Sequence, residues 1–266
     1  MDVLVRPGRS SPMKRTSSGK PVERARWLAG AAIAPYDQES IRSLFDEMAS
    51  TYGYINLISS FGFAARWRHQ AVEDLPLSGA VCILDLMSGM GELWRSLAKS
   101  LPTSARVIGV DLSPEMTRRT PREWPFATEV LVEDVLTWDA PSGFADVIVS
   151  SFGLKTFDRD QQRKLAGRVA RILKAGGSYS FVEISVPSFA PLRYLYMLYL
   201  RTLIPVIGRL MLGNPDCYRM LGRYTGAFGN VGHFANCLRD AGLEANPVSY
   251  FFGCATGVRG HKPPLA

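Results

Sequence analysis

Short apolar runs rich in valine, isoleucine and leucine recur through the middle of the chain, and several of them end in an acidic residue. Such runs are typical of buried parallel strands. Between them, apolar positions recur at helical spacing, and Gly176 and Gly177 are expected to end a helix at 161–173. The predicted strands cover residues 80–86, 106–111, 129–132, 145–150 and 178–184.

Strands that alternate with helices predict right-handed β-α-β units. The expected fold class is therefore α/β, with a Rossmann-like, doubly wound sheet that is mainly parallel and covered on both faces. Two helices at 38–51 and 63–75 precede the sheet, with Asp37 as the N-cap of the first. After the fifth strand, residues 187–224 are apolar on all sides but are interrupted by arginines and Pro205. This run is too short to cross a bilayer, so it predicts an inserted helical cover.

These patterns predict a domain organisation. We expect a disordered basic tail at 1–34 and a single domain at 35–266. The expected segments of that domain are N-terminal helices (35–78), a cofactor-binding core (79–186), the substrate cover (187–226), and a closing helix with a hairpin at the sheet edge (227–266).

Charge and cysteine content exclude several classes of protein. The formal net charge is +7, but much of the excess lies in the first 28 residues, and no later stripe of lysine and arginine alternates with aromatic residues. Nucleic acid is therefore not expected as a partner. The four cysteines lie far apart without a CxxC or Cys/His cluster. This spacing argues against a metal site and a disulfide framework, and it favours the reducing cytoplasm.

The strand at 80–86 leads into a glycine turn that is typical of ligand-binding loops. Gly89 and Gly91 let the backbone approach a bound molecule closely. Trp94, however, stands where a dinucleotide-binding loop needs its third glycine. An NAD-dependent oxidoreductase is therefore not favoured.

Three acids follow neighbouring strands and are expected at the same edge of the sheet. Asp111 suits the two hydroxyls of a ribose. Asp85 is expected to hold the loop amides or the ammonium group of a ligand, and Asp134 is expected to accept a hydrogen bond from an adenine amino group. Together the acids predict a nucleoside that carries an amino-acid tail.

Motifs spread over most of the chain carry a resemblance to a known family. They lie at 45–52, 84–91, 109–113, 151–154 and 171–177, and are continued by Asn56, Ser60, Gly62, Trp67, Glu183, 204–208 and 241–243. In these motifs the chain resembles class I S-adenosylmethionine-dependent methyltransferases, specifically the ubiquinone/menaquinone biosynthesis C-methyltransferase (UbiE-type) family. The resemblance implies bound S-adenosylmethionine and a seven-stranded sheet with a reversed last strand.

Site residues are assigned from the motifs and the strand ends. The expected cofactor-binding residues are Tyr52, Asp85, Ser88, Gly89, Gly91, Asp111, Leu112, Met116, Asp134, Val135 and Ser151. The expected substrate-binding residues are Phe152, Lys155, Thr156 and Tyr199. Candidates for the catalytic base are Glu183, His233 and Tyr194, and loop anchoring by Glu183 or surface capping by His233 are alternatives that stay open.

Two departures from the family pattern bear on the substrate. Lys155 and Thr156 stand where the family usually has an arginine and an asparagine, and Phe228-Gly229 replaces an expected Phe-Pro pair. The resemblance therefore implies a diverged member.

The predicted function is C-methylation of a hydrophobic small molecule, either a prenylated quinol or phenol, or an isoprenoid of specialised metabolism. Two alternatives remain: methylation-initiated cyclisation of a polyene, and a non-catalytic partner protein with this fold. Peripheral membrane contact at most is expected, and a homodimer is left open.

Overall fold

The computed structural model describes residues 36–50, 52–53, 60–212 and 216–264. Its centre is a seven-stranded sheet in the order β3-β2-β1-β4-β5-β7-β6. The predicted tail at 1–34 lies outside the described residues. The strands are β1 Cys82–Leu86, β2 Arg106–Asp111, β3 Ala127–Val132, β4 Ala145–Ser151, β5 Leu173–Ile184, β6 Asn246–Tyr250 and β7 Ala255–His261.

The central strands are parallel and buried on both faces. All five residues of β1 are buried, and Leu84 pairs with Ile108 of β2 and Ile148 of β4. Ile83 and Leu84, which point to opposite faces, belong to two different hydrophobic clusters. This arrangement explains the continuous apolar runs and confirms the predicted α/β fold.

β7 is the reversed strand. It lies between β5 and β6 and is antiparallel to both. Its pairing with β6 confirms the predicted closing hairpin.

Helices flank the sheet on both sides. They are α1 Gln38–Met48, α2 Phe63–Val72, α3 Trp94–Leu97, α4 Pro114–Arg118, α5 Arg159–Ile172, α6 Ala190–Leu198, α7 Ile204–Leu212, α8 Asp216–Phe228 and α9 Gly232–Asp240. The predicted N-cap of α1 is confirmed, because Asp37 accepts a hydrogen bond from the Ser40 amide. Ser113 caps α4 in the same way, since it accepts a hydrogen bond from the Met116 amide.

The predicted end of the helix at 161–173 is confirmed to within one residue, but the role predicted for the two glycines was wrong. α5 ends at Ile172, and β5 begins at once at Leu173, so Gly176 and Gly177 lie in a strand. Backbone hydrogen bonds between these glycines and Lys262 hold them there, a long-range pairing that outweighs their usual role as helix stops.

The cover inserted after β5 consists of α6, a π-helical turn at Tyr199–Leu203, α7 and α8. Pro205 explains the wide turn, because proline has no N–H and its ring would collide with the Arg201 carbonyl in a regular α-helix. Within the described part of the chain, none of the helices combines the length and the apolar composition needed to traverse a bilayer.

Candidate functional site

The glycine turn after β1 is held to the end of β2. The amide of Gly89 donates to Asp111 Oδ2 over 2.7 Å, and the amide of Ser88 donates to the Val110 carbonyl over 3.1 Å. Gly91 has φ +75°, and a Cβ there would lie 3.0 Å from the Trp94 ring. The turn therefore requires glycine at position 91 for both conformation and space.

Trp94 fills the space behind this turn. Its indole is fully buried, and its Nε1 donates to Asp85 Oδ2 over 2.9 Å. Asp85 thus lies behind the turn and lines neither of the two cavities described below. Burial raises the pKa of Asp85 well above its usual value, and the indole hydrogen bond opposes that shift.

Asp111 and Asp134 follow β2 and β3 at the rim of the sheet. Asp111 accepts the amides of Gly89 and Ser113, one on each oxygen, and Asp134 accepts the Leu136 amide over 2.8 Å. Each carboxylate oxygen keeps a further acceptor position for a ligand. Burial raises the pKa of Asp111 to about 6, although the two amide hydrogen bonds favour its ionised form.

The first cavity, called here the strand-end cavity, lies over the carboxyl ends of β1, β2, β3 and β4. It encloses about 750 Å³, including the solvent at its mouth. Nine residues expected to bind the cofactor line it, whereas Asp85 and Gly91 do not. The nine are Tyr52, Ser88, Gly89, Asp111, Leu112, Met116, Asp134, Val135 and Ser151.

Several lining residues of the strand-end cavity were missed by the sequence analysis. Three of them are charged: Arg68 of α2, Glu92 directly after the glycine turn, and Glu133, which precedes Asp134 after the end of β3. Helical periodicity places Arg68 on the same face of α2 as Ala64 and Ala71, and the side chain is only 6% exposed. Three of the remaining ones, Phe45, Met87 and Gly153, fall within the family motifs but were not assigned to the site. The remaining ones all lie around α1, directly after β1, or between β4 and the first turn of α5. They are Tyr36, Gln38, Ile41, Phe45, Met87, Gly153, Phe157 and Gln161.

The second cavity, called here the aromatic cavity, is built by helices. It encloses about 1460 Å³, including the solvent at its mouth. All four residues expected to bind the substrate line it: Phe152, Lys155, Thr156 and Tyr199. Its other aromatic walls are Phe45, Tyr52, Phe61, Phe63, Trp67, Tyr196, Tyr218, Tyr224 and Phe251.

The two cavities meet at a shared wall of four residues, Phe45, Tyr52, Phe152 and Thr156. Phe152 follows β4 with φ +64°, and Met87 follows β1 with φ +56°. Positive φ is costly for such bulky side chains and is typical of positions that a functional site constrains. Phe152 thus carries a strained backbone within the shared wall, and Met87 carries one in the strand-end cavity.

Lys155 is the one charged side chain among the described residues that line the aromatic cavity. Its ammonium group contacts the Phe152 carbonyl and lies 3.1 Å from Glu183 Oε1. Glu183 is fully buried behind it and also accepts the Lys155 and Ile184 amides, over 2.9 and 2.7 Å. Glu183 therefore anchors the loop that carries Lys155.

None of the three candidate bases lines either cavity. Glu183 lies behind Lys155, and Tyr194 is 70% exposed on the outside of α6. His233 of α9 lies 3.2 Å from the Arg159 carbonyl, on the surface formed with α5. Burial raises the pKa of Tyr196 and of Tyr199, so the phenols of the cavity wall are hydrogen-bond donors near neutral pH.

The polar groups of the strand-end cavity suit an adenosyl ligand with a sulfonium centre better than a dinucleotide. Its described walls carry four acids and one cation, Arg68, whereas a diphosphate needs positive charge. The four-residue α3 offers little helix dipole, and Trp94 occupies the position of the third glycine. Acceptors at Asp111 and Asp134 match ribose hydroxyls and an adenine amino group.

A sheet with this strand order and one reversed strand, together with a ligand site at the ends of β1 and β2, defines the class I S-adenosylmethionine-dependent methyltransferases. Residues 34–262 match the family model described as the ubiE/COQ5 methyltransferase family. The chain belongs to this family. It is an S-adenosylmethionine-dependent methyltransferase, as the resemblance of its motifs predicted.

Relatives and solved structures agree with this assignment. The chain is 32% identical to a ubiquinone/menaquinone biosynthesis C-methyltransferase of Syntrophotalea carbinolica, over 81% of this chain and 94% of that protein. It is 32% identical to a demethylmenaquinone methyltransferase of Thermus thermophilus, over 83% and 100%. Human N-acetylserotonin methyltransferase, solved with S-adenosylmethionine, shares the fold at 16% identity and TM-score 0.57, over 89% of this chain and 61% of that one.

Proposed function

We propose that this methyltransferase C-methylates a hydrophobic aromatic acceptor that carries a free hydroxyl, such as a prenylated quinol or phenol. The observation that carries the proposal is the aromatic cavity itself, which shares a wall with the strand-end cavity and contains one charged side chain, Lys155, among its described walls. Relatives at about a third identity are named for methylation in ubiquinone and menaquinone biosynthesis.

The polarity of the aromatic cavity supports an apolar acceptor. Ligand sites for small molecules enclose about 300–1,000 Å³, and the interior of this cavity, about 350 Å³ without the solvent at its mouth, lies within that range. Its walls offer aromatic faces for a ring and aliphatic side chains, among them Leu44, Leu200 and Ile204, for an attached chain. A ring with a prenyl chain therefore suits it better than a small polar acceptor.

Lys155 gives the chain its own means of activating the acceptor. Bound S-adenosylmethionine supplies an electrophilic methyl group on a sulfonium centre. The Lys155 ammonium group, fixed by Glu183, donates a hydrogen bond to the acceptor's oxygen and favours its ionised form. The hydroxyl proton leaves to solvent, and the preorganised donor stabilises the oxyanion, whose ring carbons are more nucleophilic. The ring carbon displaces the methyl group from the sulfonium sulfur, and the proton on that carbon then moves to the oxygen, which restores the aromatic ring and the hydroxyl. The shared wall aligns the two cavities and excludes water.

Methylation-initiated cyclisation of a polyene remains the second candidate, because the aromatic walls can stabilise a carbocation. Lys155 opposes it, since an ammonium group in the same cavity repels a cation. The two functions thus differ in the sign of the charge that the cavity must stabilise.

The test is incubation of the purified protein with methyl-labelled S-adenosylmethionine and three acceptors. These are a prenylated quinol, the same quinol with both hydroxyls capped as methyl ethers, and an acyclic polyene. We expect label on a ring carbon of the free quinol alone, located by NMR of the product. Label in a ring-closed polyene would establish the cyclase instead. No lipophilic product with any acceptor, despite normal cofactor binding, would reject both and favour a non-catalytic partner protein.

The outer surface of the cover supports peripheral contact with an anionic membrane. Leu203, Val206 and Leu210 form an apolar stripe on the π-turn and α7 that is 45–81% exposed, and Arg201 and Arg209 beside it are exposed as well. Leu195, 62% exposed, also lines the aromatic cavity, so apolar surface continues into its mouth. Co-sedimentation with anionic but not neutral vesicles is expected, and equal recovery with both would contradict it. The cytoplasmic location and the homodimer stay predictions.

A further inference from the structure

Arg68 is a charged side chain on the buried face of α2. It is 6% exposed and lies between Ala64 and Ala71, which are 6% and 2% exposed. The part of it that stays accessible faces the strand-end cavity, whose wall it joins. A buried arginine at a core position is unusual and calls for a partner.

The contacts of Arg68 satisfy only part of its guanidinium group. Its Nε donates to Ser151 Oγ over 3.2 Å, and its Cζ lies 4.8 Å from the centre of the Phe152 ring. Within the described parts of the chain, no carboxylate oxygen lies within 4.0 Å of it. The two terminal nitrogens therefore keep their donors for the cavity.

A buried guanidinium group is stabilised most by a carboxylate that accepts two parallel hydrogen bonds. The acids of the same cavity are Glu92, Asp111, Glu133 and Asp134, and none of them forms an ion pair with Arg68. Arg68 acts on Asp85 only at longer range, as a minor influence that lowers the pKa of that acid. The carboxylate that fits this position thus comes from a ligand.

We infer that Arg68 binds the α-carboxylate of the amino-acid tail of S-adenosylmethionine. The tail carries the one negative charge of that molecule, and Arg68 is the one cation among the described residues that line the strand-end cavity. Because Arg68 rests on Phe152, this anchor lies beside the wall that the two cavities share. The inference depends on the family's cofactor and is independent of the proposed acceptor.

The test compares the dissociation constants of S-adenosylmethionine and decarboxylated S-adenosylmethionine by isothermal titration calorimetry. The two ligands differ only in the carboxylate. We expect the wild-type protein to bind the decarboxylated ligand about 30-fold to 100-fold more weakly, the effect of a charge-assisted pair of hydrogen bonds. In Arg68→Met, the ratio of the two constants should fall to about 1–3, through weaker binding of S-adenosylmethionine alone.

Two further variants complete the test. Arg68→Lys keeps the charge but loses the planar fork, so an intermediate ratio is expected. Arg66→Met, on the exposed face of the same helix, should leave both constants unchanged. Equal weakening of both ligands in Arg68→Met would show a merely structural role and overturn the inference. If Arg68→Met does not fold, the wild-type protein still tests the inference, because a ratio near 1 between its dissociation constants for the two ligands would also overturn the inference. Acceptor turnover enters none of these measurements.

Discussion

The strand-end cavity and the aromatic cavity share a wall but are built from different parts of the fold. Backbone elements form the first: a glycine turn, the ends of parallel strands, and acids that accept main-chain amides, as Asp111 does from Gly89 and Ser113. Side chains of helices form the second, many of them from the cover. Backbone geometry is hard to vary without unfolding, whereas helical side chains can be exchanged singly. The strand-end cavity is therefore constrained by the fold, and the lining of the aromatic cavity is open to change.

Phe152 is the place where the two cavities depend on each other. It lines both, supports Arg68 with its ring face, and packs edge-on against Trp67 at a centroid distance of 6.5 Å. Away from this wall, we expect substitutions to affect cofactor binding or acceptor turnover, but not both. The following substitutions and conditions test that separation.

Asp111→Ala should have the largest effect and act on the cofactor alone. The carboxylate is expected to accept ribose hydroxyls and holds the Gly89 amide, and hydrogen bonds to a charged group contribute about 1.5–3 kcal/mol each. We expect the dissociation constant of S-adenosylmethionine to rise about 100-fold or more, measured by titration calorimetry. Asp160→Ala, at an exposed N-terminal position of α5, is the matched control. An unchanged constant in Asp111→Ala would refute the ribose assignment.

Removal of the Lys155 charge should act on the acceptor alone. Lys155 is proposed to favour the ionised oxygen of the acceptor, and the loss of one donor to an oxyanion costs about 10²–10³ in kcat, so kcat/KM for the acceptor should fall about 100-fold. The cofactor dissociation constant should stay within about twofold.

The variant must change both members of the buried ion pair, because Lys155→Met by itself leaves the Glu183 carboxylate unpaired and destabilises the fold. Lys155→Met/Glu183→Gln is therefore the test, and Lys155→Arg, which keeps the charge, is the control. Thermal unfolding of both confirms folding. Loss of cofactor binding in the double variant would show that the two cavities do not act separately on cofactor and acceptor.

Acidification should weaken cofactor binding, because a carboxylate of the strand-end cavity becomes protonated. The pKa of Asp111 is raised to about 6 by burial, so its carboxylate is ionised above that pH and protonated below it. At pH 5 about one molecule in eleven keeps the ionised form, so affinity should be about tenfold weaker than at pH 8. Titration calorimetry across this range measures the effect. Asp111→Asn, which has no titrating group there, should show weak binding without this step.

His233→Ala should have the smallest effect. The side chain lies on the surface between α9 and α5 and lines neither cavity. We expect kcat, KM and the cofactor dissociation constant to stay within about twofold, since surface substitutions away from special features cost little. A large loss of kcat in a folded variant would return His233 to the list of candidate bases.

Local patterns predicted nine residues that line the strand-end cavity and four that line the aromatic cavity, but not the exposed position of Tyr194. Asp111, Gly89 and the N-cap Ser113 follow from strand ends, turn chemistry and capping, all of which act over a few residues. Tyr194 and Tyr199 are five residues apart on one apolar run, and no local signal separates the exposed one from the cavity wall.

The sequence by itself determined the parallel sheet, the glycine turn and the acids at the strand ends, because hydrophobic periodicity and turn propensity are short-range properties. Tertiary structure alone decided that Glu183 lies behind Lys155, that Gly176 belongs to a strand, and that Arg68 faces the strand-end cavity. Each of these depends on which distant segments pack together, with Lys155 and Glu183 28 residues apart and Arg68 and Ser151 83 residues apart. A one-dimensional pattern does not specify such pairings.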